Sequence, residues 1–190
     1  MRARLLFPTV MAATALTLAG CGTQDNTASN GPAASASPTT SGTSTAEQDS
    51  VGTSAVPEAL RFTGTTVDGR PFDAATLAGK PTVLWFWAPW CPTCKAQGPE
   101  TAKVAAQYQG KAHVIGVAGL DKRQAMQDFV KDTGVGSFPN LSDEAGEIWK
   151  KFEITQQSFY VVLDKDGKAV FTGSLPAGDG LADKLSPLVG

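Results

Sequence analysis

Thr82 to Trp87 form an unbroken apolar and β-branched run, T-V-L-W-F-W, and only three residues separate its end from a Cys-x-x-Cys pair, Cys91 and Cys94. A run of this length and composition is the pattern of a central strand buried on both faces. The residues that follow predict a helix opening at the cysteine motif and running to about Gln109. Pro92 suits its first position, where a missing N–H leaves no bond unmade, and Pro99 is placed to kink it.

The rest of the second half alternates in the same way. Phe62 to Val67, an Asp68-Gly69 turn signal and Arg70-Pro71-Phe72 read as a small hairpin, followed by a connection through Leu77 and Gly79. His113 to Val117 reads as a second buried strand, and Arg123 to Asp132 as a helix with Met126, Phe129 and Val130 on one face. Glu144 to Phe152 offers the stripe Ile148, Trp149 and Phe152. Phe159 to Leu163, an Asp166-Gly167 turn and Ala169 to Phe171 form a hairpin, and Leu181, Leu185 and Leu188 mark a last helix. This order predicts an α/β fold: a central mixed β-sheet flanked by helices, with an N-terminal β-hairpin. Trp85 and Trp149 are expected in the core, with nothing polar converging on them.

The first third is built differently. Arg2 and Arg4 precede a mostly apolar stretch to Leu18, interrupted by Pro8, Thr9, Thr14 and Thr17, which is the pattern of a signal peptide over residues 1–20 and is too broken to span a membrane. Leu18-Ala19-Gly20-Cys21 resembles the lipobox of bacterial lipoproteins, which makes Cys21 a lipid-bearing N-terminus and not a redox partner. Ordinary cleavage near Gly20 and an uncleaved tail are the alternatives. Residues 21–56 are rich in Ser, Thr, Ala, Gly and Pro and bury too little to order themselves; as a flexible coil they reach roughly 30 Å, enough for a tether. The globular domain is expected over 57–190. Net charge is −2; loss of Arg2 and Arg4 leaves 14 basic against 18 acidic residues, or −4, with no clustered basic surface for nucleic acid.

Two thiols three residues apart at a strand-to-helix junction point to reversible disulfide chemistry. At the helix N-terminus, unpaired N–H groups and the helix dipole favour a thiolate, so Cys91 is the attacking sulfur and Cys94, one turn inward, the resolving one. A static disulfide is disfavoured because so small a ring removes little unfolded-state entropy. A zinc or iron–sulfur site needs about four ligands, whereas the chain offers Cys91, Cys94 and the lone His113, so no metal or other cofactor is expected in a monomer.

The segment Trp87-Ala88-Pro89-Trp90-Cys91-Pro92-Thr93-Cys94, the strand before it, Pro99, and the Phe159 to Gly167 strand and turn resemble the thioredoxin superfamily. Within it they are most similar to the membrane-anchored extracytoplasmic TlpA/ResA/DsbE-type branch, including DsbE/DsbF-like lipoproteins. The resemblance covers about Ala59 to Val189. It implies a thioredoxin-like fold, a thiol-disulfide oxidoreductase lipid-anchored on the outer face of the bacterial cell membrane, exported cysteine-containing proteins as partners, and an unidentified membrane redox partner. It implies active-site surroundings at Trp90, Pro92, Thr93, Gln97, Gln157 and Ser158.

Two positions depart from that branch. Gln97 stands where a glutamate is usual, and an amide cannot take a proton or raise a thiol pKa by charge repulsion. Ser158 stands where a cis-proline is usual; a cis bond before a non-proline residue costs about 3–4 kcal/mol, so the Gln157–Ser158 peptide is either trans or held cis under strain. The serine also leaves open a metal bridged between two copies. The location favours an oxidase, with a reductase serving cytochrome c maturation or other exported proteins, or a thioredoxin-like binding module with little turnover, as alternatives.

Overall fold

The computed structural model describes residues 55–190. The expected signal segment, Cys21 and the expected tether as far as residue 54 lie outside the described residues. The folded body takes in Val56, whose carbonyl accepts a hydrogen bond from Arg61 Nε at 3.0 Å, one residue ahead of the boundary expected at Pro57.

The chain runs through β1 (Thr63–Thr65), β2 (Pro71–Asp73), β3 (Thr82–Trp87), α1 (Pro92–Gln107), β4 (His113–Ala118) and α2 (Arg123–Thr133). It continues through β5 (Asn140–Ser142), α3 (Glu147–Lys151), β6 (Phe159–Leu163), β7 (Ala169–Ser174) and α4 (Leu181–Leu185). The strands β1 and β2 pair as the expected antiparallel hairpin. The main sheet has the order β5-β4-β3-β6-β7, with β4 and β5 parallel to β3, β6 antiparallel to β3, and β7 antiparallel to β6. It is the mixed sheet the alternation predicts, and β3 is its middle strand.

Every residue of β3 is fully buried. Val83, Trp85 and Trp87 face one way, into a core shared with α1, α2 and α4; Leu84 and Phe86 face the other, onto Leu141, Ile148 and Trp149. Burying an aliphatic or aromatic side chain of this size is worth about 1.5–3 kcal/mol, so this strand anchors both layers. Trp87 stacks on Phe129 of α2 with ring centroids 4.2 Å apart, and Trp85 on Tyr160 of β6 at 6.3 Å.

Sequence and structure differ at several edges. The strand β5 has no counterpart in the sequence reading: three residues after Pro139 are too few for a period-two pattern, and its pairing is set by β4 and by the hairpin, through Val67 N–H to the Asn140 carbonyl at 2.8 Å. The expected helix from Glu144 begins instead at Glu147, because Asp143 turns the chain and accepts from the backbone N–H groups of Glu147 and Trp149, each at 2.9 Å. The long helix ends at Gln107, two residues early, and continues through Pro99. The strand β7 extends past Phe171 to Ser174.

His113 opens β4 half-buried and belongs to no group of three metal-ligating side chains among the described residues. Burial, and then the nearby Lys80 ammonium, hold its imidazole below the ordinary histidine range. A histidine depressed in this way takes its proton in the unfolded chain before the folded one, so it contributes a loss of stability as pH falls below about 6.5. His113→Gln is expected to flatten the decline in denaturant midpoint between about pH 7 and pH 5. An unchanged slope would show that other groups carry it.

Candidate active site

The strand-to-helix junction places both thiols. Ala88 to Trp90 turn the chain off β3, and Cys91 N–H closes that turn on the Ala88 carbonyl at 3.1 Å. Cys91 is the N-cap residue of α1, with extended φ/ψ of −82° and 114°, and Pro92 takes the first helical position. Cys91 and Cys94 are joined as a disulfide, with Cα atoms 5.3 Å apart. The Cys91 sulfur also accepts the Cys94 backbone N–H at 3.1 Å, doing for this helix what a serine or aspartate oxygen does at other N-caps. Both cysteines are buried, Cys91 at 3% exposure and Cys94 at 0%.

Pro92 and Thr93 are exposed beside the disulfide. Trp90 is 53% exposed and its indole donates to the Leu120 carbonyl at 3.2 Å. Leu120, equally exposed, adopts a left-handed φ of 62° that holds this carbonyl toward the indole. Trp90 and Leu120 form an apolar rim at the carboxyl end of the sheet. A groove of about 420 Å³ runs from Leu120 past Gly119, Trp149 and Ile154 to Thr155.

Gln97 lies one turn beyond Cys94 on the inward face of α1 and is fully buried. Its Oε1 accepts the Trp85 indole N–H at 2.8 Å. Its Nε2 donates to the carbonyls of Ser158 at 3.2 Å and Leu175 at 2.8 Å. This overturns the expectation that nothing polar converges on the two tryptophans: Trp85 ends on Gln97, and the Trp149 indole donates to the Val117 carbonyl at 3.2 Å. Both rings are core, but a buried indole N–H without a partner would be costly, and each has found one. Glu100, the next carboxylate along the helix, pairs outward with Lys103 at 3.3 Å.

The Gln157–Ser158 peptide is trans, as are all peptide bonds among the described residues. Ser158 instead has φ of 68°, a left-handed conformation that costs a non-glycine residue about 1–2 kcal/mol. Three contacts hold it: its N–H donates to the Phe86 carbonyl at 3.0 Å, its carbonyl accepts from Gln97, and its hydroxyl bonds Ser174 Oγ at 3.1 Å. No backbone hydrogen bond among the described residues engages Gln157.

Sequence reasoning missed Thr101, Tyr160 and the Leu175 turn. Thr101 Oγ1 bonds the Gln97 carbonyl at 2.9 Å and the Tyr160 phenol at 2.7 Å, and burial pushes that phenol well above its usual range. The signal was present: Cys94, Gln97, Thr101 and Val104 fall at helical spacing on one face, so two polar residues share a stripe that otherwise turns inward. No group of three His, Cys, Asp or Glu among the described residues comes together as a metal-ligand set.

Residues 56–171 match the model of the AhpC/TSA family. The chain is 42% identical over 132 residues to the soluble secreted antigen MPT53 of Mycobacterium tuberculosis, covering 70% of this chain and 75% of that protein. It is 30% identical over 114 residues to the thiol-disulfide oxidoreductase ResA of Bacillus thuringiensis subsp. konkukian, covering 60% and 65% of the two chains. The solved structure of MTB dsbF in its mixed oxidized and reduced forms matches with a TM-score of 0.65 at 41% identity, over 70% of this chain and 98% of that one. The expected thioredoxin-like architecture is the fold shared with these relatives.

The Ser158 geometry yields a direct expectation. Proline at this position removes the N–H that binds Phe86 and requires φ near −65° where the chain has 68°. Ser158→Pro is expected to lower stability by about 2–3 kcal/mol in denaturant unfolding. A variant as stable as the parent would show that the segment re-forms without this bond.

Proposed function

The chain belongs to the AhpC/TSA family and, within it, to the thiol-disulfide oxidoreductases of the TlpA/ResA/DsbE type, and from that premise we propose that it oxidises exported cysteine-containing proteins through Cys91 and Cys94. The observation that carries this reading is a disulfide whose outer sulfur is the N-cap of a 16-residue helix. On reduction, the Cys91 thiolate is left against the unpaired N–H groups and the positive end of the helix dipole. Stabilising the reduced form in this way makes the disulfide the stronger oxidant. No carboxylate opposes it from position 97, where the group is a neutral amide.

In the forward direction a client thiolate attacks the Cys91 sulfur. The Cys91–Cys94 bond breaks, the pair of electrons leaves on Cys94, and client and protein are joined by a mixed disulfide. A second client thiolate then attacks the client's own sulfur in that bond and releases Cys91 as thiolate. The client's two thiols become one disulfide, and their two electrons rest on the Cys91–Cys94 dithiol until a membrane redox partner removes them. Trp90, Pro92 and Thr93 surround the point of attack. The open backbone of Gln157, held up by Ser158, is where an extended client segment would pair.

The reading places the protein outside the cytoplasm, held by lipid on Cys21, with residues 21–56 as tether. It is supported by the signal-like first 20 residues, by the L-A-G-C sequence, and by a relative described as secreted. No helix among the described residues is long and apolar enough to cross a membrane.

The reduction potential of the Cys91–Cys94 couple, measured against glutathione buffers, tests the direction. It is expected well above thioredoxin's value of about −270 mV. A value at or below that would make the protein a reductase. Turnover itself is tested by cysteine variants: Cys91→Ser is expected to abolish oxidation of a dithiol peptide, and Cys94→Ser, whose Cys91 thiolate attacks the disulfide form of that peptide and expels one of its sulfurs as thiolate, to accumulate a mixed disulfide. Client binding that survives both changes, with no adduct, would make the protein a binding module.

A further inference from the structure

We propose that Gln97 is a positioning residue for disulfide exchange: its carboxamide fixes the Ser158 segment that presents Gln157 to the client, and it does so independently of pH. The geometry requires an amide. Two carbonyl oxygens, of Ser158 and Leu175, converge on Nε2 at 3.2 and 2.8 Å, while one N–H, from Trp85, arrives at Oε1 at 2.8 Å. A primary amide supplies two donors on one side and an acceptor on the other. An ionised carboxylate supplies no donor and sets a negative oxygen against two carbonyl dipoles in a fully buried site. A protonated carboxyl supplies one.

The lock is anchored on rigid elements. Trp85 is in the middle strand, stacked on Tyr160, and the turn Pro176–Gly178 is packed so closely on α1 that a Cβ on Gly178 would lie 3.0 Å from Glu100 Cβ and 3.3 Å from the Gln97 carbonyl. The Ser158 segment it holds is in the left-handed region and has no other bond to α1. Release of the Gln97 bond therefore frees the Ser158 carbonyl and leaves the segment on its Phe86 and Ser174 contacts alone, which loosens the Gln157 backbone ahead of it.

The titratable groups around position 97 are Glu100 on the same helix, the Tyr160 phenol reached through Thr101, and the cysteine pair itself; β3, Ser158 and the Pro176–Gly178 turn bring none. A carboxyl placed there would be buried and kept neutral at low pH, and would break the lock as it ionised. Gln97→Glu converts a pH-independent lock into a titrating one.

The inference rests on the Gln157 backbone as the seat of the client chain, and the experiment separates the two. The second-order rate of oxidation is measured across pH for the parent, Gln97→Glu, Gln97→Met and Asn140→Asp, with a short synthetic dithiol peptide and with dithiothreitol, which has no backbone to pair. Asn140→Asp puts the same kind of carboxyl under the other β3 tryptophan, away from the Ser158 segment, and reports general destabilisation. With the peptide, Gln97→Glu is expected to run closest to the parent at acid pH, where its protonated carboxyl keeps one of the two donors, and to fall about a further tenfold relative to the parent as pH rises, the factor of about one lost hydrogen bond. Gln97→Met is expected to be about tenfold slow at every pH, and dithiothreitol rates to stay within about twofold. A Gln97→Glu profile parallel to the parent's, or one copied by Asn140→Asp, overturns the positioning role. An equal loss with peptide and dithiothreitol shows that position 97 acts on the sulfurs and overturns the Gln157 seat.

Discussion

The hydrogen bond from the Trp85 indole to Gln97 is the contact on which the site's geometry depends. It joins the middle strand of the sheet to the helix that carries both cysteines, one turn past Cys94. Without it the helix would still be held against the sheet by Val104, Tyr108 and the aromatic cluster, but not at a fixed rotation. Apolar packing is non-directional, whereas an indole N–H aimed at a buried carbonyl oxygen specifies one orientation and penalises others by an unmade bond. The Gln97 amide then passes that orientation on to two segments distant in sequence, at Ser158 and Leu175.

The same device occurs a second time, two residues along the strand. Trp87 donates its indole N–H to Asn140 Oδ1 at 3.1 Å, and Asn140 Nδ2 donates to the carbonyls of Val135 and Phe138 at 2.9 and 3.0 Å. In each case one tryptophan of β3 holds one buried carboxamide, which in turn holds two loop carbonyls. Gly116 on β4 makes the second possible, because a Cβ there would collide with Asn140 and lie 2.8 Å from the Trp87 indole nitrogen. A sheet covered by helices fixes layers but leaves its connecting loops free, and loops are where exchange chemistry must be presented to a client. The two amides extend the rigidity of the middle strand into those loops.

This division explains what could be read from the sequence and what could not. Elements held by long apolar patterns were legible: β3, β4, β6, α1 and α2 stand within a few residues of where their periodicity puts them, and the Cys-x-x-Cys pair sits where a strand hands over to a helix. Elements held by single polar contacts were not. The strand β5 exists because β4 and the hairpin pair with three residues around Asn140, and α3 starts late because Asp143 caps it from outside. Trp85 and Trp149 are legible as core residues, but their N–H bonds are not, because hydrophobic patterning treats Trp as an apolar residue and is blind to the one bond that gives its ring a direction. Gln97 was noticed for the charge it lacks, whereas its part in the structure comes from the two donors it has.

Gln97 and Ser158 are also coupled through one hydrogen bond. A residue at 158 that lacks an N–H cannot bond the Phe86 carbonyl, and a residue at 97 that lacks donors cannot hold the Ser158 carbonyl once that bond has turned it inward. The serine supplies the N–H and tolerates the left-handed φ with help from Ser174; the glutamine supplies the two donors that the resulting geometry demands. Changing either alone leaves a buried carbonyl without its partner. The Ser158 segment is thus held by an amide that satisfies its carbonyl and by its own N–H on Phe86, hydrogen bonds that no proton can switch.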